Sequence, residues 1–288
     1  MIFFIKNLSR FDWLILALLA GFTIFLSFRI RGTLNYEWRW ELIPNYIIRY
    51  REDRNEWFAN LLLQGLFATV RISIYASILA AILGTILGIA RCAENLTVRL
   101  LARTYLELLR NIPPVVIIFI FFFFISQQVI DALNLNSWAR DVARSNYAPV
   151  WQFFFGDMRR FPSLISGVIV LAMFEAAFVG EIVRAGIQSV QNGQREAARA
   201  IGMSQLQEMR YIVLPQALHK VVPPMANQFI SLIKDSSIIS LISVQELTYK
   251  TIELVASTRL IFEAWLTTAA FYFILCFTLS LLFRKLEK

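Results

Sequence analysis

One histidine and two cysteines in 288 residues leave little material for metal or redox chemistry. His219 has no partners with which to build a zinc site or a Ser-His arrangement. Cys92 and Cys276 fall in or beside different apolar stretches, so neither a metal cluster nor a disulfide framework is indicated. Charge is scarce: 17% of residues are charged against 58% apolar, and the mean hydropathy of +0.59 excludes a soluble globular composition. The roughly ten-residue alternation of a barrel strand is missing. Apolar residues instead form continuous blocks of about 20, the length of a membrane-crossing helix. A G-x-x-x-x-G-K-[ST] phosphate loop is also lacking, so the chain does not hold ATP by that device. The formal charge of +8 is read as loop marking, because Lys and Arg flank membrane spans, and nucleic-acid binding is not expected.

What is present is an all-α integral membrane protein with six expected transmembrane helices. Residues 12–28 follow Lys6 and Arg10 and end at Arg29 and Arg31 without a small-x-small cleavage site, which predicts a retained helix. Residues 31–57 mix Trp38, Trp40, Tyr46, Tyr50 and Trp57 with Arg39, Arg49, Arg51 and Arg54; an interfacial segment and a plain connecting loop are equally good readings. The second span covers about 60–90, closes with Arg91 and contains a Gly84/Gly88 pair that permits close helix approach. The third starts at Arg110-Asn111-Ile112-Pro113-Pro114, where the prolines should break or kink it, and runs to about 128. Residues 129–163 predict a short interfacial helix. The remaining spans lie at about 164–183, 222–242 and 261–283, before a basic end that includes Lys288. Lys and Arg divide almost evenly between the two sides, so orientation rests on the loop after the fourth span.

Several polar residues lie within spans. A charge near the bilayer centre costs about 2.5–3.5 kcal/mol on insertion scales and usually faces protein or a water-filled path. Arg71, Glu175, Lys234 and Asp235 qualify, with Asn227, Gln228 and Ser231 one to two turns before Lys234. One reading is a polar path for a charged or zwitterionic solute; the other is that these groups pair and hold the bundle together. Glu181 and Arg184, spaced i, i+3, read as a local ion pair.

The loop at 194–215, QREAARAIGMSQLQEMRYIVLP, is the most specific stretch. Its first half is rich in helix formers, and its alanines let a helix lie close to a partner. Gly202 can close that helix in a left-handed conformation, Ser204 can cap the next, and Pro215 is expected to break the second helix before the chain re-enters the membrane. The fixed spacing of Glu196-Ala197-Ala198, Gly202 and Leu214-Pro215 resembles the EAA loop of ABC importer membrane subunits. With TVRISI at Thr69, RNIPPV at Arg110, AAFVGEIVRAGI at Ala176, VLPQAL at Val213 and SLIKDSSI at Ser231, the chain resembles the permease subunits of polar amino-acid importers.

That resemblance implies a type I importer: a five-helix transmembrane domain at 58–288, preceded by an additional helix and interfacial loop at 1–57. It implies that Glu196, Ala197, Ala198, Gly202, Leu214 and Pro215 dock two separate ATPase subunits, which bind ATP and Mg, this chain carrying no cofactor. It further implies a second permease chain, an extracytoplasmic amino-acid-binding protein and a bacterial plasma-membrane location with both termini cytoplasmic. At Glu175 the family pattern more often has a small or hydroxyl residue. A carboxylate there would favour an amino group, and Arg71 a carboxylate, so the two are expected to read the two ends of one amino acid, with a lean to basic side chains. The competing class is an ATP-independent channel or structural subunit, which leaves the loop spacing without a reason.

Overall fold

A computed structural model describes residues 10–33, 36–53 and 55–286. Lys6, Arg54 and Lys288 of the charge comparison lie outside them. The chain forms two compact units, Met1–Trp40 and Glu41–Lys288. The first holds helix α1 (Arg10–Thr33), which contains the expected 12–28 span. Phe11, Trp13, Leu18, Phe22 and Phe25 are all exposed on it, as suits a helix surrounded by lipid.

The second unit opens with the residues before the expected 58–288 domain. Its first element is a short helix, α2 (Ile43–Ile47), followed by an antiparallel hairpin of β1 (Ile48–Arg51) and β2 (Glu56–Ala59), with Ile48 opposite Ala59. Ile43 is buried against Leu62, Leu247, Leu254 and Leu260. Asn60 locks the exit, donating its backbone N–H to Ile47 O at 2.8 Å and its side-chain amide to Asn45 O at 2.6 Å. The described residues between 43 and 59 therefore form a docked helix–hairpin.

The bundle is built on two parallel helices, α3 (Leu61–Arg91) and α8 (Phe161–Gln188). Ile72, Ala76 and Ala80 line one stripe of α3 and belong to the same core as Val168, Leu171, Ala172 and Val179 of α8. In lipid, burying apolar surface gives little drive for helix association, so close packing of small residues has to supply it. Gly84 faces Val179 and Gly88 faces Val183 and the Gly180 carbonyl, closely enough that neither site has room for a Cβ. Most of the apolar window in the 158–188 span, 72%, is buried, against 6% of that in Ile261–Lys285, so α8 is the hub and the last helix faces outward.

Between them runs α4 (Leu96–Asn111), an amphipathic helix absent from the expectations. Asn95 caps it by accepting from Val98 N–H at 3.2 Å, Ala102, Leu106 and Leu109 form its buried stripe, and Tyr105 donates to Met173 O at 2.7 Å. The prolines do break the chain: α4 ends at Asn111, and α5 (Pro114–Ala132) starts on the second of them, passing through a π turn at Phe122–Ser126. Residues 129–163 hold two short helices, α6 (Leu135–Arg144) and α7 (Ala148–Phe155), joined by an edge-to-face contact of Trp138 and Trp151 at 5.2 Å.

After the loop helix α9 (Asn192–Ala200), helix α10 starts at Gln205–Gln207, widens into a π turn at Glu208–Val213 and continues as Leu214–Asp235. Pro215 does not break this helix, contrary to expectation. The wide turn directly before it re-spaces the backbone hydrogen bonds, and the residue lacking an N–H is absorbed there. A 3₁₀ segment, Ser236–Ile242, leads to α11 (Leu247–Thr258) and α12 (Ile261–Leu286). Among the described residues, four helical spans, Leu61–Arg91, Pro114–Ala132, Met158–Gln188 and Ile261–Lys285, are long and apolar enough to cross a membrane.

The polar stretch after the fifth span is thus helical, and its cap ties three helices. The fully buried Glu246 carboxylate accepts from Thr248 N–H at 2.9 Å, Tyr249 N–H at 2.8 Å, the Tyr272 hydroxyl at 2.8 Å and Thr69 Oγ1 at 3.3 Å. Glu246→Ala leaves these donors buried and unmet, a loss on the order of 2–4 kcal/mol. Thermal unfolding followed by size-exclusion chromatography is expected to show a melting point lowered by several degrees, with Glu246→Gln, which keeps one acceptor oxygen, much closer to wild type.

Candidate coupling loop and membrane path

The loop is a rigid turn between two helices. Met203 N–H donates to Ala198 O at 3.1 Å and Gly202 N–H to Arg199 O at 3.0 Å, the paired bonds of a Schellman closure with Gly202 at φ +80°. Ser204 then caps the next helix in a capping box, its N–H donating to Gln207 Oε1 at 2.8 Å. Arg199 Nε reaches the buried Glu208 carboxylate at 2.9 Å and so links the helices on either side of the turn.

The loop is also fastened to the bundle. Arg195 donates to Ile187 O at 2.7 Å and Lys220 to Ser189 O at 2.9 Å, which satisfies carbonyls at the end of α8 with cations where the helix dipole favours them. Ala198 is buried under the turn, and Leu214 is half-buried. Glu196, Ala197, Gly202 and Pro215 face outward, joined by Ile201 and Leu206, which are 77% and 78% exposed. The loop is thus stiff and charged, and it presents two bare aliphatic side chains outward.

Glu181 does more than the expected local pair. Arg184 chelates it with both ends of its guanidinium, and Arg91 and Arg110 approach at 3.8 Å each, so one carboxylate collects the ends of α3, α4 and α8. Neither the α4 contribution nor the convergence shows in the i, i+3 spacing. Nearby, Cys92 is half-buried, and burial pushes its thiol up, which keeps it protonated and unreactive.

Deeper in α8 lies Glu175, fully buried. Gln228 of α10 donates to its Oε2 at 2.6 Å, and the Asp235 carboxyl group is within hydrogen-bonding reach of Glu175. Asp235, two turns after Gln228 on the same helix, places a second carboxyl group where it acts on the first. Ser231 is half-buried between them, while Asn227 and Lys234 are exposed on another side of α10. Gln228 also lines a cavity of about 440 Å³ with Arg110, Glu181, Lys220 and Pro224, which reaches Ser189, just before the loop. The fully buried Glu175 and the half-buried Asp235 thus bring two carboxyl groups together beside Gln228.

Arg71 stands elsewhere. Its guanidinium donates to Phe153 O at 3.3 Å, next to Tyr75, whose hydroxyl donates to Phe154 O at 2.9 Å, so the pair anchors the end of α7. Arg71 lines a separate cavity of about 310 Å³ with Gln64, Gly156, Ser163 and Gln245. The rise of α8 from Ser163 to Glu175 amounts to about 18 Å at 1.5 Å per residue. Arg71 and Glu175 therefore do not meet the two ends of one amino acid in this structure.

A bundle of long apolar helices, with buried carboxyl groups inside it and a rigid helical turn at one end, suits the membrane-embedded subunit of a transport machine. Residues 76–288 match the family of binding-protein-dependent transport system inner membrane components, and the chain belongs to that family. It is 31% identical over 232 residues to the probable glutamine ABC transporter permease protein GlnM of Bacillus subtilis, covering 80% of this chain and 93% of the relative. It is 29% identical over 228 residues to the glutamine transport system permease protein GlnP of Escherichia coli, covering 79% and 92%. Among solved structures, an amino acid ABC transporter crystallised with histidines superposes with a TM-score of 0.61 at 30% identity, covering 79% of this chain and 92% of that one. The MetNI methionine ABC transporter shares the fold with a TM-score of 0.55 at 15% identity. The chain is a permease subunit of the type I ABC importer fold, and the reading as an ATP-independent channel is not favoured.

Proposed function

We propose that this chain forms the path for an amino acid in an ATP-driven importer of a bacterial inner membrane. The observation that carries the reading is the Glu175–Gln228–Asp235 cluster: a fully buried carboxyl group of a membrane-crossing helix, bonded to Gln228 and beside a second carboxyl group, suits an ammonium group. The relatives named for glutamine support the class of solute, and the second carboxyl group favours polar or basic side chains. The N-terminal helix and α10 complete a six-span arrangement with both termini cytoplasmic. Two ATPase subunits, which bind ATP and Mg, grip Glu196, Ala197, Ala198, Gly202, Leu214 and Pro215 of this chain and of a second permease chain. An extracytoplasmic binding protein delivers the solute.

Conformational change in the ATPases pushes the 194–215 turn. The turn is fastened to α8 through Arg195 and Lys220 and continues into α10 without a break, so a push reaches Glu175 and Gln228 from both helices. The test is uptake of labelled L-glutamine, L-glutamate, L-histidine and L-arginine by proteoliposomes holding the complete complex. ATP-dependent accumulation of at least one supports the reading, and uptake without ATP would sink it. Glu175→Thr is expected to lower uptake at least tenfold and to remove any preference for L-arginine; unchanged rate and selectivity would remove Glu175 from the path.

A further inference from the structure

We infer that the cavity beside Arg71 is a second amino-acid station, separate from the Glu175 pocket, that takes a zwitterion by its carboxylate on Arg71 and its ammonium group on Gln245. The inference rests on the amino-acid reading above and extends it to a site at the end of the bundle opposite the loop.

At about 310 Å³ the cavity lies at the lower end of small-molecule sites, roughly 300–1,000 Å³. Most of its charges are already matched. Lys250 is bonded to Glu253 at 2.6 Å, and Arg160 lies 3.8 Å from Asp157. Arg71 differs, because among the described residues no carboxylate pairs with it, and its one side-chain hydrogen bond goes to the Phe153 carbonyl. A guanidinium carries five donors in a planar fork that fits a carboxylate with two parallel bonds. The opposite need lies in the lining of the same cavity, where Gln245 Oε1 is buried and accepts no hydrogen bond.

The ligand must therefore bring an anionic acceptor and a donor together. A simple anion answers Arg71 and leaves Gln245 unmet, and an amine does the reverse; an α-amino acid answers both, with the Ser163 hydroxyl in the same wall. The rise of about 18 Å to Glu175 exceeds the reach of one amino acid, so the two sites hold separate molecules. Paired stations of modest affinity allow entry at one end without trapping the solute at the other.

The test is calorimetric titration of the nucleotide-free transporter complex in lipid nanodiscs, without binding protein. The probes are L-glutamine, its decarboxylated analogue 4-aminobutanamide, and inorganic phosphate. Wild type is expected to bind one more equivalent of L-glutamine than Gln245→Leu, which weakens that one site at least tenfold and leaves the other intact. Arg71→Gln gives the same loss, but it also releases Phe153, so Gln245→Leu is the cleaner variant. The extra site should reject 4-aminobutanamide and should not be emptied by phosphate. Equal stoichiometry in wild type and Gln245→Leu, or full competition by phosphate, overturns the second station alone. A wild-type complex that binds no amino acid overturns both this inference and the proposed function.

Discussion

Gly84→Leu is expected to abolish accumulation of the folded protein, and Gly84→Ala to lower its stability by about 1–3 kcal/mol, the usual range for overpacking. A Cβ on residue 84 would lie 2.5 Å from Val179 Cβ and 2.9 Å from the Ala176 carbonyl oxygen. Neither obstacle is the end of a flexible side chain, so the clash is relieved only if α3 and α8 move apart. Those two helices hold the core of the bundle, and in lipid their contact depends on closeness rather than on the exclusion of water. Thermal unfolding of the detergent-purified protein measures the effect. Val179→Ala should not rescue Gly84→Ala, because the offending Cβ remains; Val179→Gly should restore part of the loss. A Gly84→Leu protein that purifies and melts like wild type would show that the α3–α8 contact is looser than described.

Gly202→Val is expected to cut ATP-dependent uptake at least tenfold while leaving protein yield unchanged. The residue sits at φ +80°, where a β-branched side chain is strongly disfavoured, by about 1–2 kcal/mol or more. Yet a Cβ there meets nothing within 4 Å, so the bundle itself has no cause to unfold. The damage is confined to the Schellman closure and to the outward face that carries Ile201 and Leu206. Gly202→Asn separates the two effects. Asparagine tolerates the left-handed region, so the turn survives while a side chain is added to the docking face. If uptake in Gly202→Asn recovers, the backbone closure is what matters; if it stays low, the flat surface is. Normal uptake and normal capture of the ATPase by Gly202→Val would remove the loop from the coupling step.

The long apolar blocks were legible because a helix in lipid must satisfy its own backbone and needs about 20 apolar residues. The α3, α8 and α12 helices fall within a few residues of where hydropathy puts them. The loop was legible for a different reason: Gly202 and Ser204 carry their conformations in their own chemistry, and both appear in the predicted roles. Helix α4 escaped because its mixed composition gives no hydropathy signal, although the spacing of Ala102, Leu106 and Leu109 does trace its buried stripe. Pro215 misled because a proline's effect depends on the turn before it, and a π turn leaves no local mark in sequence.

By itself, then, the sequence determined that this is a helical membrane protein, where most of its spans run and which loop folds into a tight helix–turn–helix, since each follows from local composition and spacing. The tertiary structure alone decided which polar residues meet. It joined Glu175 to Gln228 across 53 positions and Glu246 to Thr69 across 177, and it kept Arg71 away from Glu175. Whether a buried charge is paired or left waiting depends on which helix faces it, and the parallel packing of α3 on α8 through Gly84 and Gly88 sets that.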